Sequence, residues 1–116
     1  MNEGRRKRKG EEAEEVHSEL MARGLQLEAE MDPKGASSVY STALEVKPDS
    51  VDALLHLSKS TSDESCLTTC SWDEARDLVR KANVMAKQAQ DMAPEDARTH
   101  VAEAMNLGRL AMYSGT

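Results

Sequence analysis

Apolar residues return at steps of three and four along most of this chain. The first run is Ala13, Val16, Leu20, Gly24, Leu27 and Met31, a single stripe on a helix. Glu11, Glu12, Glu14, Glu15, Glu19 and Glu28 take the other face, and glutamates near a helix start are favoured by its dipole. Asp32-Pro33 has the pattern of an N-cap followed by proline at the first helical position. The second helix is predicted from Pro33 to Val46, with the stripe Ala36, Val39, Tyr40, Ala43 and Val46, and Pro48 stops it. Asp49 is expected to cap a third helix carrying Val51, Leu54, Leu55 and Ser58.

Residues 59–71 hold eight serines, threonines and aspartates in a broken pattern, which predicts a loop. Ser71 and Glu74 have capping-box spacing, so a fourth helix starts there. It carries Ala75, Leu78, Val79, Ala82, Ala86, Ala89 and Ala93, and Pro94 ends it. A fifth stripe follows at Ala97, Val101, Ala104, Gly108 and Ala111, with Gly115 as its expected terminator. Residues 1–10, polar and basic, are expected to be a disordered tail. The fold class is therefore all-α, with one helical domain over residues 11–113.

The chain also repeats itself. Ala36, Tyr40, Ala43 and Pro48 reappear as Ala82, Ala86, Ala89 and Pro94, every pair offset by 46. Leu20, Gly24 and Leu27 form a first-helix pattern that Leu54, Leu57 and Ser58, and then Leu107 and Gly108, echo. Small residues at these points let antiparallel helices approach closely. This pattern resembles the tetratricopeptide repeat, whose period is about 34 residues; the larger offset implies an insertion of about 12, which residues 59–71 supply. Arg23 stands where that family carries leucine. Within the family, the run from Ala53 to Ser60, the inserted segment, the long fourth helix and the run from Asn106 to Ala111 are similar to the regulators of microtubule dynamics. The resemblance implies an α-solenoid of about two and a half helix pairs, microtubule-associated regulation, and a family sequence that continues beyond Thr116.

Composition narrows the function classes. No stretch approaches the roughly 20 apolar residues of a membrane span, and no apolar run follows the basic N-terminus as a signal sequence would. There is no phenylalanine, and seven methionines are available as gap fillers, Met85, Met92, Met105 and Met112 among them. The first ten residues sum to +4 and the other 106 to −10, so only Arg5–Lys9 could meet nucleic acid and the body is a poor candidate for it. Cys66 and Cys70 have no second ligand pair and are expected to be free thiols, in keeping with a reducing, cytoplasmic setting. His17, His56 and His100 stand apart as surface or packing residues. No phosphate loop, nucleophile elbow or paired-histidine motif is present, and the carboxylates read as solvated helix faces, so no catalytic, cofactor or metal residues are assigned.

Stacked helix pairs form a concave groove that holds peptides or partner helices. The expected function is thus non-enzymatic protein binding, with tubulin or microtubules as the partner that the resemblance implies. The alternative is a nuclear or nucleic-acid-associated adaptor acting through Arg5–Lys9. A chaperone cofactor that clamps a terminal carboxylate ranks lower, because the groove positions Met21, Leu25 and His56 lack its basic side chains. The fifth stripe, left without a following helix, is expected to make residues 97–113 self-associate.

Overall fold

The computed structural model describes residues 2–114, with side chains from Arg8 onward. Among these residues there are five helices and no strand: α1 (Asn2–Ala29), α2 (Pro33–Val46), α3 (Val51–Glu64), α4 (Trp72–Met92) and α5 (Ala97–Tyr113). Each packs chiefly on its sequence neighbours, and α3 also meets α5. The all-α class and the pairing of adjacent helices agree with the sequence pattern. No described helix is long and apolar enough to cross a membrane.

Local chemistry sets the boundaries. Asp32 accepts the Gly35 N–H at 3.0 Å, and Pro33 occupies the first turn of α2. Before it, Asp32 N–H reaches back to the Leu27 carbonyl at 2.9 Å while Met31 sits at φ 60°, so the chain reverses through a left-handed residue. Ser71 caps α4 through the Glu74 N–H, as its spacing foretold. At α3 the cap is Ser50, not Asp49: its hydroxyl accepts the Ala53 N–H at 3.1 Å. That hydroxyl also meets His17 Nε2 at 2.8 Å, a buried contact that ties α1 to the start of α3.

Two segments expected to be irregular are helical. The backbone is helical from Asn2, so residues 2–10 extend α1 and are not a disordered tail. The Ser/Thr-rich segment is not a loop from residue 59 either. α3 continues to Glu64, and only residues 65–71 connect it to α4. Serine and threonine are weak helix formers, but here tertiary contact decides. Ser58, Ser60, Thr61 and Ser62 are buried. Ser58 donates to the Ala82 carbonyl at 2.8 Å and accepts from Asn106 at 3.1 Å, and Arg109 donates to Ser62 at 2.8 Å.

The core is built from small knobs. Ala36, Ala43, Ala53, Ala82, Ala86, Ala89 and Val79 are fully enclosed, with Leu27, Leu54 and Leu57 nearly so. Tyr40 is the one aromatic ring among the fully buried side chains. It lies over Gly24. A Cβ on residue 24 would stand 2.8 Å from the ring's Cδ1 and closer still to two other ring atoms. Van der Waals contact does not allow this, so glycine is what lets α1 and α2 close.

α5 departs from the sequence reading. Its expected inward stripe points outward: Val101 is 56% exposed, and Ala97, Ala104, Gly108 and Ala111 are exposed as well. The inward face is Thr99 and Asn106, with Ala102 and Tyr113 partly covered. A Cβ on Gly108 would meet nothing within 4 Å, and Leu107 is half exposed, so neither packs a helix pair. Met92, Met105 and Met112 are likewise exposed and fill no gap, whereas Met85 packs against the core. Val16 and Met31 also leave the predicted α1 stripe for solvent, where the buried neighbour is His17. Gly115, expected to end α5, lies outside the described residues.

The two glycines should therefore behave oppositely. Gly24→Val should destabilise the fold by about 3 kcal/mol, the upper range for overpacking. Gly108→Ala should stabilise it by about 1 kcal/mol through helix propensity alone. Thermal melts followed by circular dichroism test both, and equal effects would contradict the assignment of Tyr40 to the Gly24 socket.

Candidate functional site

Alternate helices α1, α3 and α5 share one side of the stack. Two hollows open on it. The larger, about 370 Å³, lies between α3 and α5 over Leu55, Val101, Ala102 and Met105. The smaller, about 340 Å³, lies between the α1–α2 turn and the end of α3, beside Met31, Pro33 and Leu67. Lys59, Asp63 and Arg109 border both hollows and separate them.

The divider is part of a chain of polar contacts drawn from four helices. It starts at Glu28 in the last turn of α1, whose side chain is only 14% exposed. Tyr40 Oη donates to Glu28 Oε2, and Lys59 Nζ donates to Oε1 at 2.8 Å. His56 Nδ1 lies 3.3 Å from Oε2, and its ring packs on Tyr40 with centroids 5.1 Å apart. Lys59 then approaches Asp63 at 3.6 Å, and Asp63 meets Arg109 of α5 at 3.0 Å. Thus α1, α3 and α5 are joined by one alternating series of acid and base.

This series shifts the titration of its members. Burial raises the Glu28 pKa, but hydrogen bonds from Lys59 and Tyr40 and the Lys59 charge outweigh it and leave the carboxyl below its usual 4.5. Burial, then the Glu28 hydrogen bond and charge, pushes the Tyr40 hydroxyl well above 10. The Glu28 hydrogen bond raises Lys59 above 10.5 against the opposing effect of burial. Glu28 is the carboxylate that the sequence reading missed, having placed all carboxylates on solvated faces. Its position one residue after Leu27, and so beside the core stripe, was the available signal.

The repeat-packing residues divide into two groups. Gly24, Leu27, Ala36, Tyr40, Ala43, Leu54, Leu57, Ala82, Ala86 and Ala89 are buried and Leu20 is half buried, behind the hollows. Pro48 and Pro94 sit exposed in the turns that precede α3 and α5. Leu107 and Gly108 face solvent. On the hollow side, Lys59, Asn106 and Arg109 supply the basic and amide groups that Met21, Leu25 and His56 do not. Each is already engaged: Lys59 with Glu28 and Asp63, Arg109 with Asp63, and Asn106 with Ser58. A free cationic clamp for a carboxylate is therefore not in place.

The two cysteines are free and lie in the segment joining α3 to α4. Cys66 is exposed, while Cys70 is half buried with its Sγ donating to the Glu64 carbonyl at 3.3 Å. Among the described residues no three His, Cys, Asp or Glu side chains cluster as metal ligands would. Tyr113 Oη donates to the Ser65 carbonyl at 3.1 Å and its ring meets Trp72 edge-on at 5.3 Å, so the segment is fastened to the end of α5. Comparison with protein families, with curated proteins and with solved structures finds no match for this chain.

The contacts around Glu28 give a pH dependence with a fixed sign. A depressed carboxyl stabilises the fold above about 4.5 and loses that contribution as pH falls through its folded value. Glu28→Gln should cost about 2 kcal/mol at pH 7, the scale of hydrogen bonds to a charged group. It should also flatten the fall in melting temperature between pH 6 and pH 3. An unchanged acid limb in the variant would show that Glu28 does not carry this stability.

Proposed function

We propose that this chain is a non-enzymatic protein-binding module of the tetratricopeptide type, whose α1–α3–α5 side receives a peptide or partner helix. The observation that carries this reading is the hollow of about 370 Å³ between α3 and α5. Its floor of Leu55, Val101, Ala102 and Met105 accepts an apolar side chain, and the paired side chains of Arg98 and Arg109 frame its edge. Binding sites of this kind combine an apolar floor with a few placed polar groups. The repeated spacing of Ala36, Tyr40, Ala43 and Pro48 with Ala82, Ala86, Ala89 and Pro94 supports the repeat assignment.

Microtubule-associated regulation is the specific role that the sequence resemblance supports. The charge layout sets a condition on it. The body sums to −10, so an acidic partner such as a tubulin surface must meet the apolar hollow or the Arg5–Lys9 end of α1. The same basic segment supports the second reading, a nuclear adaptor, and the two differ in what removing it does.

Cosedimentation with polymerised tubulin separates these readings. The intact chain should pellet with microtubules, and Val101→Glu with Met105→Glu should lose at least tenfold in affinity while the helical content holds. Loss caused only by deleting residues 2–9 would shift the activity to the basic segment. No pelleting by any version would remove the microtubule role. A peptide-library selection would then test the hollow itself, because genuine ligands must fail on the Val101→Glu, Met105→Glu variant.

A further inference from the structure

The smaller hollow, between the α1–α2 turn and the end of α3, holds a hydroxyl with nothing to bond. Ser60 is 1% exposed and lines this hollow, yet its Oγ has no hydrogen-bond partner among the described residues. The buried serines around it are all spent: Ser58 on Ala82 and Asn106, Ser62 on Arg109, and Ser65 on the Ser62 carbonyl at 2.6 Å. A buried hydroxyl is normally paired, so an unpaired one at a hollow points to a group that enters it. Cys66 lines the same hollow with an exposed free thiol. Its Sγ has only long contacts, 3.9 Å to Ser65 Oγ and 4.0 Å to Tyr113 Oη.

The rest of the lining decides what can enter. Glu28, Lys59, Asp63 and Arg109 are paired with one another. Asp32 forms no ion pair among the described residues, and its Oδ1 accepts only the Gly35 N–H. Glu28, Asp32 and Asp63 outnumber the two cations, so the hollow keeps spare negative charge. Met31, Pro33 and Leu67 add apolar surface, and the volume of about 340 Å³ falls within the range of small-molecule sites, roughly 300–1,000 Å³. The unspent groups are thus a thiol, a hydroxyl and a carboxylate. We propose that Cys66 is a site of reversible mixed-disulfide formation with a small aminothiol, whose ammonium end the hollow holds through Asp32 and Ser60.

The reaction is thiol–disulfide exchange with the disulfide of that aminothiol. Cys66 releases its proton to water, and its thiolate attacks one sulfur of the incoming disulfide. The new Sγ–S bond forms as the reagent's S–S bond breaks. Cys66 is oxidised, and the other half of the reagent leaves as a thiolate, takes up a proton and is thereby reduced. Cys70 is the internal reference: it is half buried, takes no part in the lining, and its Sγ donates to the Glu64 carbonyl at 3.3 Å. The site goes beyond the protein-binding reading, because the α3–α5 hollow is lined by neither Ser60 nor Cys66.

The test treats the whole chain with cystamine and follows each cysteine by peptide mass spectrometry. Cys66 should be modified about tenfold faster than Cys70, in line with their exposure. Its rate should level off at high cystamine, as prior binding in the hollow requires, and should exceed the rate with oxidised glutathione, whose net charge is negative. Methyl methanethiosulfonate is too small to use the hollow and measures the reactivity of the thiol itself. The ratio of the cystamine rate to the methanethiosulfonate rate should fall about fivefold in Asp32→Asn, which keeps the cap of α2, and about as much in Ser60→Ala, the scale of one hydrogen bond. A ratio unchanged in either variant overturns the proposal. So does a Cys66 rate that stays linear in cystamine, or one that oxidised glutathione matches.

Discussion

The Tyr40 ring lies where a side chain on residue 24 would have to be. That single exclusion sets how closely α1 and α2 approach, and the rest of the stack is arranged around the result. With the ring pressed against the α1 backbone, its hydroxyl reaches Glu28 one turn further along. Glu28 is then buried enough to need partners, and His56 and Lys59 of α3 supply them. A desolvated carboxylate without them would cost several kcal/mol. Lys59 passes the alternation to Asp63, and Asp63 passes it to Arg109 of α5. The close contact of one ring with one glycine thus begins a series that fixes three helices on one side of the molecule.

Elsewhere the core is rich in buried alanine packed among leucines. Such a core buries less apolar area per residue than one rich in phenylalanine, so its stabilisation per contact is smaller. Hydrogen bonds between helices compensate in specificity. His17 meets Ser50 across the α1–α3 junction, Ser58 bridges Ala82 and Asn106, and Arg109 bonds Ser62. Each would be left unsatisfied by a slip of one helical turn. An unpaired buried donor or acceptor costs about 1–3 kcal/mol, so these few bonds hold register where smooth alanine surfaces would allow sliding.

The same economy shapes the side on which the hollows open. Its cations are consumed internally, so the hollows between α1, α3 and α5 offer apolar floor and little free charge.

Sequence periodicity alone determined the helical class, the limits of α2 and α4 and the small-residue core of both. Those features follow from local rules: a capping side chain at the start, a proline just past the end, and alanines every three or four residues between. The sequence also held the signal for the extended α3, since Ser58, Thr61, Ser62 and Ser65 have helical spacing, but composition argued for a loop and burial reversed it. Which side of α5 faces the body was decided only by the tertiary structure. Its apolar stripe is the stronger periodic signal, yet Asn106 and Arg109 find hydrogen-bonding partners on α3 that no local rule could supply. The Glu28 series is of the same kind. Its members lie up to 81 positions apart, from Glu28 to Arg109, and meet only because the Gly24–Tyr40 contact brings the helices that carry them to the required distance.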